Sequence, residues 1–123
     1  MNNIKLTLHK SFFSEKEKPL LEAGAFSVSS FLYSTGVAAL LVKNKKGELI
    51  WLPYKGQQIW RATFCGRELT MKSTFPEPVD THEFNASYGC YLLHCGMTAM
   101  GNPTPEDTHP QHGELPSIMY ENA

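Results

Sequence analysis

The feature that most restricts the fold of this chain is a series of short apolar segments separated by turn residues. Segment 37–53 contains an apolar run, a polar turn at 44–47 and a second apolar run, which predicts a β-hairpin. Segment 57–72 repeats this pattern, with Gly66 near its turn. Short strands with turns at this spacing are typical of an antiparallel β-sandwich rather than of alternating strands and helices. The sequence therefore predicts an all-β fold.

The first third of the chain predicts two further strands and one short helix. Residues 4–9 alternate apolar and polar side chains, as a half-buried strand does, and segment 25–34 resumes this alternation. Between them, segment 14–24 predicts a short helix that is capped by Ser14 and ended by Gly24.

The second half has a different character. Segment 75–89 predicts a loop, 90–101 is apolar and rich in small residues, and 102–116 predicts a loop that its prolines stiffen. A stiff loop holds side chains at fixed separations, and loops often carry function. The last residues, 118–123, have the character of a strand. We interpret residues 1–123 as a single partial domain.

Charge and composition exclude several classes of partner. The formal net charge is −1, which gives no general attraction to nucleic acid or to an anionic membrane. No apolar run approaches the roughly 20 residues of a membrane-spanning helix. The N-terminus lacks the features of a secretory signal, and the three cysteines are an odd number. These observations predict a cytoplasmic protein with reduced thiols, and they leave its oligomeric state open.

Segment 106–116, EDTHPQHGELP, has the densest set of groups that transfer protons or bind metals. Its members of interest are His109, His112 and Glu114. An imidazole can accept or donate a proton near neutral pH, and a nearby carboxylate can fix its tautomer. The same three side chains would suit a metal with two nitrogen ligands and one oxygen ligand. A polar turn without chemistry is the third interpretation, and the spacing leaves all three open.

Other candidates lie outside this segment. His94 is a lone histidine in an apolar run, which is more often a core residue than a catalyst. The aromatic side chains of Trp51, Tyr54 and Trp60 are able to stack on the apolar face of a sugar, although aromatic residues in strands usually belong to the core. His82 has no informative neighbours in the sequence.

Three segments together resemble a poorly characterised branch of the galactose mutarotase-like (aldose 1-epimerase-like) superfamily. They are LPYKGQQIWRATFCGRELTMKS at 52–73, YGCYLLHCGMTAMG at 88–101 and EDTHPQHGELP at 106–116. The resemblance implies an antiparallel β-supersandwich that binds carbohydrate in a cleft. It also implies that this chain corresponds to the N-terminal portion of such a protein.

The resemblance implies a catalytic role for one histidine. QHGE at 111–114 resembles the Leu-His-Gly-Gly motif of aldose epimerases, with His112 and Gly113 on matching positions. His112 would protonate the ring oxygen, while a base further along the chain would take the anomeric proton. This chemistry needs no cofactor and no metal. Gln111 and Glu114 depart from the motif.

The expected function is therefore carbohydrate binding with acid–base chemistry at the anomeric centre. The expected contacts with the sugar come from five side chains: His109, Glu114, His94, Gln58 and Trp60. Two alternatives accompany this expectation. One is a carbohydrate-binding protein without catalysis, and the other is a metal-dependent sugar isomerase.

Overall fold

A computed structural model describes residues 3–123 of the chain. Its six strands form one antiparallel sheet in the order of the sequence. The strands are β1 (Lys18–Ala23), β2 (Phe26–Leu32), β3 (Ala38–Asn44), β4 (Gly47–Trp51), β5 (Ile59–Phe64) and β6 (Arg67–Glu68). The predicted all-β antiparallel class is confirmed. The strands of the described residues form this one sheet, so the second sheet of a sandwich is not confirmed.

Turn chemistry fixes the two predicted hairpins. Between β3 and β4, the side-chain oxygen of Asn44 accepts hydrogen bonds from the N–H groups of Lys46 and Gly47, at 2.7 and 3.1 Å. Between β5 and β6, Cys65 and Gly66 have φ values of 52° and 73°. Positive φ at both central residues is the requirement of a two-residue type I′ turn. Both hairpins are confirmed.

The helix predicted over 14–24 is wrong, because β1 occupies Lys18–Ala23. Pro19 is tolerated there because β1 is an edge strand, where one side of the backbone needs no partner. The pairing with β2 shifts register between Pro19 and Leu21, which marks a β-bulge at Leu20. Leu20 packs against the core, and this burial outweighs the local helical signals.

The strand predicted over 4–9 is also wrong. These residues have no regular secondary structure, and Ile4 and Leu6 are exposed to 59% and 45%. The N–H of Leu8 donates to the carbonyl of Ala123 at 3.1 Å. One such bond does not make the ladder that a strand requires. A 3₁₀ turn follows at Lys10–Phe12.

Hydrophobic clusters cover parts of both faces of the sheet. Ala39 and Leu40 are adjacent in β3, so their side chains point to opposite faces. Ala39 belongs to a cluster with Leu52, Trp60 and others, whereas Leu40 belongs to one with Phe13 and others. The sheet is therefore a layer between two sets of packed loops.

The chain after β6 is mostly irregular and is held to the sheet by polar side chains, among them the half-buried Arg61. The guanidinium of Arg61 in β5 donates to the carbonyl oxygens of Trp60, Gly89 and Phe75, at 2.9, 3.1 and 3.1 Å. The carbonyl groups of Gly89 and Phe75 lie in irregular segments and obtain a donor in this way, whereas the Trp60 carbonyl also accepts from the N–H of Tyr91 at 3.2 Å.

Two short elements interrupt these loops. The helix α1 (Phe84–Ser87) has four residues and lies within the predicted loop 75–89. Residues 118–120 pair with residues 54–56 through an isolated bridge between Lys55 and Met119, which falls short of the strand predicted for the last residues. Within residues 3–123, no helix combines the length and the apolar character needed to cross a membrane.

Candidate functional site

The candidate site is built on the segment 106–116, which we call the histidine loop. It is fastened to the preceding segment through Gly96, whose N–H donates to the carbonyl of His112 at 2.8 Å. The carbonyl of Gly96 in turn accepts from the N–H of Glu114 at 3.1 Å. The N–H of His112 donates to the carbonyl of Gly101 at 2.8 Å. The backbone at His112–Glu114 is therefore fixed by partners on both sides.

The two residues at the centre of the loop have left-handed backbone conformations. The φ values are 60° at His112 and 82° at Gly113. A side chain at position 113 would place its Cβ closer than 3.0 Å to the carbonyl oxygens of Gly96 and Ala99, so only glycine fits. A non-glycine residue in this region costs roughly 1–3 kcal/mol, and such outliers cluster at functional sites. His112 is held in this conformation by the hydrogen bonds around it.

Glu114 presents an ionised carboxylate beside this turn. Its Oε2 accepts a hydrogen bond from the N–H of Thr98 at 3.0 Å. Hydrogen bonding from Thr98, through its side chain and its backbone, lowers the pKa of Glu114, and the nearby His109 acts in the same direction. An ionised carboxylate near neutral pH accepts hydrogen bonds from hydroxyl groups and can accept a proton from one.

His109 is tucked into the loop, with 8% of its side chain exposed. Its Nδ1 lies 2.9 Å from the carbonyl oxygen of Pro110, a contact that is a hydrogen bond when Nδ1 carries the proton. Its Nε2 lies 3.8 Å from the carboxylate of Asp107. Hydrogen bonds from the backbone and hydroxyl of Thr104 hold the pKa of Asp107 below its usual range, and His109 contributes in the same direction.

A small cavity opens at the inner side of the loop. Its volume is about 190 Å³, and it is lined by His82, Pro110, Glu114, Ser117 and Ile118. The hydroxyl of Ser117 lies 3.4 Å from the carbonyl of His82, which ties the two walls together. We call this space the loop cavity. It presents a carboxylate, an imidazole and a hydroxyl next to apolar surface, a combination typical of small-molecule sites.

His112 itself does not line the loop cavity. Its ring packs against Phe84 of α1, with 4.4 Å between the ring centroids and 48° between the planes. Phe84 is two residues from His82, so the histidine ring and the cavity share one supporting segment. The structure therefore brings Glu114 to the loop cavity, whereas neither His109 nor His112 lines it.

Two predicted contacts lie elsewhere. His94 is exposed and lines a separate open groove of about 480 Å³ on the sheet, together with Trp51, Gln57 and apolar side chains. Trp60 is 1% exposed in the core, beneath the guanidinium of Arg61 at 4.3 Å. These two residues do not join the histidine loop.

Gln58 supports the histidine loop through a buried hydrogen bond and does not line the loop cavity. It is 1% exposed, and its Nε2 donates to the carbonyl of Pro116 at 2.8 Å. A buried amide that is satisfied in this way positions the end of the histidine loop. Gln58 and Trp60 line neither the loop cavity nor the groove that contains His94.

Sequence reasoning missed His82 and Lys55. His82 reaches the loop cavity only because the irregular segment after β6 folds back over the sheet. Lys55 is 1% exposed and its Nζ donates to the carbonyl of Thr81 at 2.7 Å, which fixes the segment next to His82. A lysine before Gly56 in a polar turn gives no sequence signal of burial, so no local pattern would have found it.

The described residues do not support the hypothesis of a metal site. Among residues 3–123, no group of three or more His, Cys, Asp and Glu side chains is arranged to hold a metal ion, so His109, His112 and Glu114 do not form a ligand set.

The three cysteines are free thiols: Cys65 is exposed, Cys95 is intermediate and Cys90 is buried. Burial is the main cause of a raised pKa for Cys90, which makes it a poor nucleophile.

Comparison of the chain with protein-family models, with curated proteins and with solved structures found no match.

Proposed function

We propose that this protein binds a carbohydrate at the loop cavity and acts on it as an aldose 1-epimerase-like enzyme. The observation that carries this proposal is the convergence of the Glu114 carboxylate and the His82 imidazole on one small cavity, with His112 on the adjoining turn. Sugar hydroxyls are donors and acceptors of hydrogen bonds, and these groups complement both roles. The family resemblance of the three sequence segments and a cytoplasmic location belong to the same proposal.

The proposed chemistry is opening and closure of the sugar ring. His112, as an imidazolium, gives a proton to the ring oxygen as the bond between that oxygen and the anomeric carbon breaks. A carboxylate takes the proton of the anomeric hydroxyl, and the carbonyl of the open-chain aldose forms. Glu114, kept ionised by Thr98, is the carboxylate on this cavity. Proton transfer by His112 requires its ring to leave Phe84.

A second candidate function is carbohydrate binding without catalysis. The contact of His112 with Phe84 favours it, because a ring that stays packed there cannot reach a sugar in the loop cavity. In this case the protein binds sugars saturably and leaves their anomer ratio to relax at the rate of the buffer.

The two functions are separated by one pair of measurements on the intact chain. Saturation-transfer NMR with D-galactose and D-glucose tests binding, and polarimetry of freshly dissolved α-anomer tests interconversion. His112→Asn is the informative variant, because asparagine tolerates the left-handed conformation that His112 adopts but cannot transfer protons. We expect this variant to bind as the wild type does and to lose at least about 100-fold in interconversion rate.

Gln57→Asn is the matched control, because Gln57 also has a positive φ, 47°, but lines a different groove from the loop cavity. An interconversion rate that is unchanged in His112→Asn would refute the catalytic role of His112. Absence of saturation transfer to both sugars in the wild type would refute the proposed binding of these sugars.

A further inference from the structure

A second cavity of about 260 Å³ has a charge pattern that the loop cavity lacks. Two lysines, Lys10 and Lys55, line it together with Tyr54, and none of the described residues of its lining is acidic. The remaining wall is mainly apolar and includes Leu32, Val37 and Met119. Its volume lies below the ~300 Å³ at the lower end of drug-sized pockets, so its occupant is small.

Lys55 is the buried cation of this cavity. It is 1% exposed, and its ammonium group carries three N–H donors. Among the described residues it makes one side-chain hydrogen bond, to the carbonyl of Thr81 at 2.7 Å. Among residues 3–123, ion pairs join Lys43 to Glu48 and His109 to Asp107. Lys55 takes part in neither, so no carboxylate of these residues lies within 4.0 Å of its ammonium group. A buried ammonium with unused donors gains from an added anionic partner.

The surroundings of Lys55 are consistent with this lack of an anionic partner. Burial is the main cause of a lowered pKa for Lys55, and the carboxylate of Asp80 opposes it only in part. Lys10 is exposed, and its Nζ lies 5.8 Å from the centre of the Tyr54 ring. The tyrosine hydroxyl is already engaged with the carbonyl of Leu8 at 3.2 Å. The lining of the cavity thus includes one buried and one solvent-accessible lysine.

We propose that this second cavity binds a small amphipathic anion, whose carboxylate or phosphate group pairs with Lys55 and Lys10 while its hydrocarbon part contacts Leu32, Val37 and Met119. Charge complementarity selects the class of ligand, because the lining has two cations, no anion and an otherwise mainly apolar wall. The site does not share residues with the loop cavity, so this proposal does not depend on the proposed function.

The test compares three six-carbon probes on the intact chain, with the methyl NMR signals of Met119 and Val37 as the readout. The probes are hexanoate, hexyl phosphate and uncharged 1-hexanol. We expect at least one anion to shift these signals saturably and to bind about 10-fold or more tightly than 1-hexanol, as one charge-assisted hydrogen bond implies. The ranking of the two anions identifies carboxylate or phosphate as the preferred group. Equal affinities for the anions and the alcohol would overturn the proposal.

Variants locate the anion. Lys55→Met should weaken binding of the preferred anion about 10-fold or more, with little effect on 1-hexanol. Lys43→Met is the control, because Lys43 lies in an exposed ion pair outside the cavity and its loss should change nothing. If Lys55→Met does not fold, Lys10→Met, a substitution of an exposed residue, serves instead, and the affinity for the preferred anion should fall about 3-fold. Retained affinity in a folded lysine variant contradicts the assignment.

Discussion

Replacement of Gly113 by alanine is the sharpest test of how the histidine loop is built. Gly113 has a φ of 82°, and an added Cβ would lie closer than 3.0 Å to two backbone carbonyl oxygens, those of Gly96 and Ala99. Backbone atoms cannot rotate away as a flexible side chain can. The substitution therefore combines conformational strain with a clash that requires the two segments to separate.

The two contributions can be measured separately because the chain contains a matched control. Gly101 has a φ of 94° and nothing within 4 Å of an added Cβ. Alanine there meets only the left-handed strain, about 1–2 kcal/mol. At position 113 the overpacking adds about 1–3 kcal/mol to the same strain. The smaller entropy of the unfolded alanine chain affects both variants alike and cancels in the comparison.

Urea denaturation followed by tryptophan fluorescence gives the free energy of unfolding of both variants. We expect Gly113→Ala to be destabilised by about 2–5 kcal/mol and Gly101→Ala by about 1–2 kcal/mol. Hydrogen exchange at the amides of Gly96 and Glu114 should also accelerate in Gly113→Ala, since both amides bond across the affected contact. Equal losses of stability in the two variants, with unchanged exchange at these amides, would refute the packing argument.

Two further predictions concern the polar anchors of the irregular half. Arg61→Met should lower the free energy of unfolding by about 2–4 kcal/mol, because the carbonyl groups of Gly89 and Phe75 lose a donor. The exposed Arg67→Met should change it by less than about 0.5 kcal/mol in the same urea assay. Thr104→Val should raise the pKa of Asp107 toward its ordinary value in a carboxyl-carbon NMR titration, with Thr108→Val as a control that leaves it low. A carboxyl group with a lowered pKa stabilises the fold at pH values above its ordinary pKa of 3.8, and this stability is lost as the pH falls through the folded pKa. The wild type should therefore lose more stability on acidification than Thr104→Val does. An equal loss in the two proteins would contradict this linkage.

The candidate site was only partly accessible from the sequence. The density of titratable groups at 106–116 predicted that this segment carries the candidate site, and Glu114 of this segment lines the loop cavity. Its distant partners, His82 and the supporting side chains of Gln58 and Lys55, are brought to it by hydrogen bonds across 26 to 58 residues of chain. Such pairings leave no local periodicity that a reader of the sequence can detect.

The sequence by itself determined the hairpins, because their causes are local. Asn44 bonds to backbone groups two and three residues later, and Gly66 provides the left-handed conformation that its own turn needs. The tertiary structure alone decided whether segment 14–24 became helix or strand and where His94, His109 and His112 lie relative to one another. Those outcomes depend on burial and on backbone partners supplied by remote parts of the chain, whose free energies exceed the small local preferences of the residues involved.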